Sequence, residues 1–202
     1  NGSIVPTLIS GPANGDSFLL GPTVVTFGAD DGNGQSVTCS LTVTVVDNEI
    51  PEIACPADLI ELYNANCVLV MPNYTSLATT SDNCDVSPVV SQSPAVGASV
   101  TGGVTVVTLT VTDASGNSND CTFNVVDQTA PVVTCPASQQ VGVNASCAFT
   151  LVNYTLSATA TDNCGSVTMV QSPAIGSVIT SATPVTITAE DQYGNTSSCT
   201  FT

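Results

Sequence analysis

The side chains that could do chemistry in this sequence are carboxylates, thiols and hydroxyls, because Lys, Arg and His are absent from its 202 residues. The usual general base, Schiff-base amine and cationic stabiliser of an active site are therefore missing. Paired carboxylates can hydrolyse glycosides or peptides. However, neither Asp-Thr-Gly nor Asp-Ser-Gly occurs, and no acid pair lies among aromatic residues. We therefore predict that the protein is not an enzyme.

The acidic residues are placed where oxygen ligands for a cation would gather. Asp47 and Glu49 lie in an acidic linker, and Asp82 and Asp113 lie in Asn-containing turns further along the chain. Carboxylate and amide oxygens are the ligands that Ca²⁺ prefers, so these four residues are a candidate calcium site at a domain junction. The rival interpretation is that they only shape turns, because no EF-hand loop pattern is present. No other cofactor is expected. Related acids occur further along at Asp127, Asp162 and Asp191.

The cysteines indicate the compartment. There are nine of them, at regular spacings, with no Cys-x-x-Cys pair and no histidine. This pattern favours disulfides over zinc binding or redox catalysis. Because disulfides persist in oxidising surroundings, the sequence predicts an extracellular or cell-surface protein.

The net charge excludes two classes of partner. Sixteen acidic residues without a basic one give a formal charge of −16, so the chain cannot neutralise phosphates of nucleic acid or of an anionic membrane. No apolar run approaches the roughly 20 residues of a membrane helix, so membrane insertion is not expected. Only 8% of the residues are charged, which is typical of a folded chain. Divalent cations or low pH are expected to relieve the repulsion between carboxylates.

The sequence repeats itself at intervals of about 80 residues. Asn64-Ala-Asn-Cys67 returns as Asn144-Ala-Ser-Cys147, and Asp82-Asn-Cys84 returns as Asp162-Asn-Cys164. The N-terminal part carries only the second half of a unit. We therefore predict domains at 1–47, 48–127 and 128–202, and we expect the intact polypeptide to continue past both ends in further units.

Within each unit the apolar residues alternate with polar ones. Val107, Leu109 and Val111 alternate with threonines, and Val185 and Ile187 do so in the next unit. A period of two indicates half-buried strands, and Gly-Asn pairs between them indicate tight turns. The fold class predicted is all-β, with tandem immunoglobulin-like β-sandwich domains. Because such a core is small, disulfides are expected to stabilise each domain.

The predicted sandwich favours particular cysteine pairs. In an immunoglobulin-like sandwich the first and last strands begin at the same end, so Cys55 is expected to pair with Cys121. This leaves Cys67 for Cys84, a loop of roughly 17 residues whose closure contributes about 3 kcal/mol. By repetition, the next unit is expected to contain Cys135–Cys199 and Cys147–Cys164.

Other pairings stay open at this point. One rival joins Cys55 to Cys67 and Cys84 to Cys121. A bridge from Cys121 to Cys135 is disfavoured, because the last strand first runs the length of the sandwich, roughly 20 Å. Cys39 is expected to pair with a first-position cysteine upstream.

These motifs together resemble the hyalin repeat. They comprise the Cys-Pro openings at Cys55 and Cys135, the Asp-Asn-Cys turns, and Asp-x-x-Gly-Asn before Cys-Thr-Phe. The resemblance covers nearly the whole chain and implies an immunoglobulin-like fold used in extracellular adhesion, in animal matrix proteins and in repetitive bacterial surface proteins. It implies no catalytic residues. The chain departs from the family in lacking the aromatic that often follows the second cysteine. It also lacks Lys and Arg altogether, and this second departure favours a specialised fibre or sheath.

Two functions follow as hypotheses. The first is a structural segment of a long extracellular filament, stalk or sheath, with neighbouring copies or further repeats as partners. The alternative is a cell-surface adhesin whose loops bind a glycan or protein ligand. Near-identical copies of one set of loops favour the first hypothesis, whereas a divergent loop at a distal tip would favour the second.

Overall fold

The computed structural model describes residues 4–202, so the first predicted domain begins just outside the described residues. The described chain contains eighteen strands and one 3-10 turn, and no α-helix. None of the described residues form a helix long and apolar enough to cross a membrane. The all-β class with disulfides that the sequence predicts is confirmed.

The chain folds as two compact units, each assembled from several segments. The first comprises the described part of Asn1–Glu52, with Ser81–Val89 and Thr112–Asn119. The second comprises Ile53–Thr80, Val90–Val111 and Asp120–Thr202. The bounds of the three predicted domains stay a prediction.

The first unit contains a three-stranded antiparallel sheet. Its strands are β1 (Thr7–Ser10), β2 (Gly21–Asp30) and β3 (Ser36–Val45), in the order β1-β2-β3. The hairpin between β2 and β3 turns at Asp31, whose Oδ1 accepts hydrogen bonds from two backbone N–H groups at 2.8 and 3.1 Å. A carboxylate that satisfies backbone donors in this way fixes the turn and thereby the register of the two long strands.

Residues 52–127 form the first complete copy of the repeat. The strands are β4 (Glu52–Ala54), β5 (Leu59–Glu61), β6 (Val68–Val70), β7 (Thr79–Ser81), β8 (Val89–Ser93), β9 (Ser99–Thr101), β10 (Val104–Thr112) and β11 (Ser118–Asp127). One sheet has the order β5-β11-β10-β8, with β5 parallel to β11. Strand β4 pairs with β7, and β6 pairs with β9. The 3-10 turn covers Thr75–Leu77.

Residues 128–202 repeat this order. The strands are β12 (Val132–Thr134), β13 (Phe149–Thr150), β14 (Thr159–Thr161), β15 (Val167–Ser172), β16 (Val178–Ile179), β17 (Val185–Asp191) and β18 (Thr196–Phe201). Strands β15, β17 and β18 form one antiparallel sheet, while β12 pairs with β14 and β13 pairs with β16. Each of these strands thus corresponds in order to a strand of the preceding copy. Only β5 of the preceding copy has no counterpart among the described strands.

The core of the second unit follows the alternation in the sequence. Val107, Leu109, Val111 and Ile187 are fully buried, whereas the threonines between them face outward and are half-buried. Burying one such aliphatic side chain contributes about 1.5–3 kcal/mol. In each copy a tyrosine meets a phenylalanine edge to face, with ring centroids 5.5 and 5.1 Å apart: Tyr74 with Phe123, and Tyr154 with Phe201.

Candidate functional site

Two disulfides join the first strand of a repeat to its last strand. Cys55 directly follows β4 and is bonded to Cys121 in β11, with Cα atoms 5.7 Å apart. Cys135 directly follows β12 and is bonded to Cys199 in β18, also with a Cα separation of 5.7 Å. These are the pairs that the sequence favours, and the rival Cys55–Cys67 bridge is not formed.

The third disulfide corrects the expected pairing of the remaining cysteines. Cys67 is bonded to Cys164, 97 positions further along the chain, with Cα atoms 4.8 Å apart. Because a sulfur atom forms one disulfide, neither the expected Cys67–Cys84 bridge nor the expected Cys147–Cys164 bridge is present. The prediction of within-domain bridges at these four positions is wrong. The observed bridge ties two consecutive copies of the repeat together.

Hydrogen bonds beside the bridge explain this pairing. The side-chain amide of Asn163 donates to the backbone carbonyls of Tyr63 and Asn64, at 3.1 Å each. These bonds hold Cys164 next to Cys67. Cys67 has a φ of 55°, a left-handed conformation that is uncommon for residues other than glycine. The short spacing between Cys67 and Cys84 therefore indicated a small loop, but not the direction in which the turn points.

Three cysteines are free and exposed: Cys39, Cys84 and Cys147. Cys39 lies in β3 opposite Phe27, just as Cys199 lies in β18 opposite Ile187. Loss of hydration around the Cys84 sulfur raises the pKa of its thiol, and three nearby carboxylates raise it further: Asp47, Asp82 and Glu49.

A group of carboxylates lies in the first unit. Asp47, Asp82 and Asp113 each offer one oxygen, and these oxygens all lie within 4.8 Å of one another. Calcium–oxygen distances are about 2.3–2.6 Å, so ligands on opposite sides of one ion are separated by about this distance. Asp113 is buried, and Asp47 is 9% exposed. The structure therefore brings together three of the four residues of the candidate calcium site.

The turns that carry these carboxylates hold them in place. Asp113 Oδ1 accepts from the backbone N–H groups of Ser115 and Asn117, and its Oδ2 accepts from the Asn117 amide at 2.7 Å. Burial raises the pKa of Asp113, but the hydrogen bonds from Asn117 and the turn outweigh it, so the pKa lies below its ordinary value. Asp82 Oδ2 accepts from the Cys84 N–H, whereas its buried Oδ1 has no partner among the described residues.

Glu49 is used differently from the other three acids. Its Oε2 accepts a hydrogen bond from the Asn83 amide at 2.6 Å, and its backbone N–H donates to Asp47 Oδ1 at 3.2 Å. Glu49 therefore supports the turns around the group and is not one of the three residues whose oxygens converge.

The next copy of the repeat carries the same acids, at Asp127, Asp162 and Asp191. Asp127 is only 2% exposed, and its Oδ2 is buried without a partner in the described part of the chain. The buried Oδ1 of Asp162 is likewise unpaired there. Since the sequence contains no cationic side chain, no residue of the chain can neutralise these carboxylates.

Two contacts between the consecutive copies were not expected from the sequence. The Tyr193 hydroxyl donates to the Gly102 carbonyl at 2.7 Å, and the Asn195 amide donates to the Asp127 carbonyl at 3.1 Å. Asn195 belongs to the repeated Asp-x-x-Gly-Asn turn, so its recurrence was a usable signal. Tyr193 stands where the preceding copy has Ser115, and no repetition could have pointed to it.

An apolar cavity of about 300 Å³ lies in the second unit, lined by residues that include Val141, Leu151 and Val185. In the preceding copy β5 pairs with β11, and Tyr63, which stands at the position of Val143, is buried. The cavity contains no group of catalytic side chains, so it does not indicate an active site.

These features define a class of protein: consecutive all-β repeats with acidic turns. A disulfide closes each complete repeat, and a further disulfide joins the two repeats to each other. The HYR domain model matches residues 46–126 and 126–202. The chain therefore belongs to the HYR domain family.

The chain is similar to two sea urchin proteins named hyalin. That of Lytechinus variegatus is 32% identical over 93% of this chain, and that of Strongylocentrotus purpuratus is 37% identical over 75% of it. The chain spans 37% and 13% of the lengths of these relatives. A crystal structure of Drosophila N-cadherin EC1-4 matches 91% of this chain and 57% of its own, at 16% identity with a TM-score of 0.30.

Proposed function

We propose that this chain is a structural segment of a long extracellular filament, stalk or sheath built from HYR repeats in series. The observation that carries the proposal is the Cys67–Cys164 disulfide, which ties one copy of the repeat covalently to the next. A binding or catalytic domain needs no bond of this kind between modules, whereas a fibre under load or exposed to proteases benefits from it. Disulfides also fit an oxidising, extracellular location.

The composition supports the same role. Without Lys and Arg the chain has no site for trypsin-like proteases. A formal charge of −16 keeps such chains soluble and apart from nucleic acids and anionic membranes. The partners are neighbouring copies or further repeats of the same protein, and no catalytic role is assigned to any residue.

Electron microscopy of the native material tests this function. We expect filaments or sheaths in which successive repeats follow one another along a single strand of density. Globular monomers, or a short ectodomain that ends in a ligand-binding tip, would contradict the proposal and favour the adhesin with a glycan or protein ligand.

We also propose that Asp47, Asp82 and Asp113 bind Ca²⁺. Three converging carboxylates with no cationic side chain in the sequence repel one another. A buried carboxylate oxygen without a hydrogen bond is costly, and Asp82 Oδ1 is such an atom. A bound calcium ion would satisfy both conditions, with Asp82 Oδ1 as a ligand. Asp127, Asp162 and Asp191 are the corresponding candidates in the next copy.

Thermal unfolding in two salts tests the calcium proposal. The melting temperature is expected to rise with CaCl2 far more than with NaCl of equal ionic strength, because coordination acts beyond screening. Asp82→Asn should reduce this difference. The control Asp16→Asn removes the same charge from an exposed turn of the same unit and should leave the difference unchanged. Equal effects of the two salts would mean that the acidic turns are only solvated.

A further inference from the structure

The Cys67–Cys164 disulfide consists of two turns that the chain also carries with free thiols. One half is the turn from Asn64 to Cys67, which recurs at Cys147. The other half is the Asp-Asn-Cys turn of Cys164, which recurs at Cys84. Each half therefore occurs once in a bridge and once unpaired.

The two copies of the first half have the same local structure. In each, the asparagine that opens the turn, Asn64 or Asn144, accepts hydrogen bonds through Oδ1 from backbone N–H groups two and four residues further on, at 2.9 to 3.1 Å. The cysteines that close the turns, Cys67 and Cys147, have φ angles of 55° and 54°. The unpaired Cys147 is thus already in the conformation that Cys67 has in its disulfide.

The two copies of the second half are also alike in their turns. The Cys164 N–H donates to Asp162 Oδ2 at 2.8 Å, and the Cys84 N–H donates to Asp82 Oδ2 at 2.9 Å. What differs is the environment of the sulfur. Cys164 is 7% exposed, whereas Cys84 is exposed.

The asparagines that precede these two cysteines also differ in whether they contact a second turn. The Asn163 amide is occupied by two backbone carbonyls of the partner turn. The Asn83 amide donates instead to the Glu49 carboxylate, which accepts it in the absence of such a turn. Cys84 and Asn83 therefore form a half-site that lacks its complementary turn.

We propose that Cys147 and Cys84 form the same inter-repeat disulfide with adjacent HYR repeats of the same polypeptide. Cys147 would bond the third cysteine of the repeat that follows, and Cys84 the second cysteine of the repeat that precedes. This inference deepens the proposed function and rests on it only in requiring neighbouring repeats. It extends the one observed bridge into a continuous series, in which every repeat is tied to both neighbours.

Formation of each bridge is an oxidation. Two S–H bonds break and one S–S bond forms, and two protons and two electrons pass to an oxidant. The oxidant is a disulfide, either a small molecule or a protein disulfide oxidase, which is itself reduced to two thiols by exchange. No metal or other cofactor is needed for the balance.

A lengthened chain tests the inference. Residues 125–202 are appended after Thr202, which occupies the same place in its repeat as Asn124. After folding under a disulfide oxidant, free thiols are alkylated and the disulfides are mapped without reduction. We expect Cys147 to be alkylated in the original chain, and to be joined in the lengthened chain to the third cysteine of the appended repeat.

Two variants and one native sample complete the test. In the lengthened chain, Cys147→Ser should remove the new bridge and leave Cys67–Cys164 intact, whereas Cys84→Ser should leave the new bridge unchanged. The inference would be overturned if Cys147 of the lengthened chain can still be alkylated. It would also be overturned if Cys147 bonds to a second molecule, which a non-reducing gel shows as a dimer band that disappears on reduction. If the lengthened chain fails to fold, mapping of the native polypeptide decides by the same criterion. Filaments with a free Cys147 would refute only this inference, and the bridge without filaments would refute only the proposed function.

Discussion

At the scale of single residues, three carboxyl groups titrate below their ordinary pKa of 3.8. Hydrogen bonds from the Asn124 backbone and side chain lower the pKa of Asp58, and bonds from the Asn33 and Gln35 backbone lower that of Asp31. For Asp113, burial opposes the hydrogen bonds but is outweighed. A lowered pKa in the folded state stabilises the fold above the ordinary pKa, and this stability is lost as the pH falls through the folded value.

The first prediction concerns acid. The sequence alone predicts that low pH relieves repulsion, but these three groups oppose that relief. We expect the urea midpoint to fall as the pH is lowered from about 5 to about 3, and to fall less in Asp58→Asn. Asp58 accepts from Asn124 at 2.7 and 3.0 Å, and the variant abolishes its titration. A midpoint that rises in acid, or an equal fall in both proteins, would contradict this account.

The second prediction concerns Gly103. Its φ is 69°, and a methyl group added there would overlap the Tyr193 ring, which is hydrogen-bonded to Gly102. The control is Gly116, whose φ is 92° but which has open space around the added carbon. Gly116→Ala should cost about 1–2 kcal/mol through backbone strain alone, and Gly103→Ala about 1 kcal/mol more, because the Tyr193 ring must move and lose its hydrogen bond to Gly102. Equal losses of unfolding free energy would show that the Tyr193 contact is not maintained.

At the scale of elements, strand β10 carries the same residue type, valine, on a buried face and on an exposed face. Val107 is fully buried and its neighbour Val106 is 58% exposed, so the same substitution can be made on both faces of one strand. Val107→Ala should destabilise by about 2 kcal/mol, because it removes buried methyl groups and leaves a cavity. Val106→Ala should change stability by less than about 0.5 kcal/mol. Similar values for the two variants in urea unfolding would mean that the register of β10 is wrong.

The strands were predictable from the sequence because their signal is local. The alternation of Val107, Leu109 and Val111 with threonines requires only that one face be buried. The Cys55–Cys121 pairing was also predictable, because the first and last strands of the predicted sandwich begin at the same end. The direction of the Cys67 turn did not follow, because it depends on a left-handed residue and on hydrogen bonds from Asn163, more than 90 residues away in sequence.

The candidate calcium group shows the same division. Repetition of acidic turns pointed to Asp47, Asp82 and Asp113, and the structure brings their oxygens together. Glu49 could not be separated from them by sequence, because its carboxylate is drawn to the Asn83 amide by a contact 34 positions away. The residue types therefore predicted where a calcium site would lie. Which of the acids have converging oxygens was determined only by the folded turns.

At the scale of the whole molecule, the disulfides limit how far a pulling force can extend the chain. A pull applied at the two ends passes from Cys55 directly to Cys121 and from Cys135 directly to Cys199. The residues enclosed by these bridges cannot be extended while the bonds are intact. In the proposed fibre of HYR repeats in series, each bridged repeat is therefore expected to be nearly inextensible.

Single-molecule force spectroscopy tests that claim most directly. The two bridges join cysteines that are 66 and 64 positions apart in sequence, and an extended chain spans about 3.5 Å per residue. The fully unfolded chain should therefore be longer by about 45 nm after reduction than before it. Unfolding lengths that are the same with and without reductant would contradict the account, because the bridges would then carry no load.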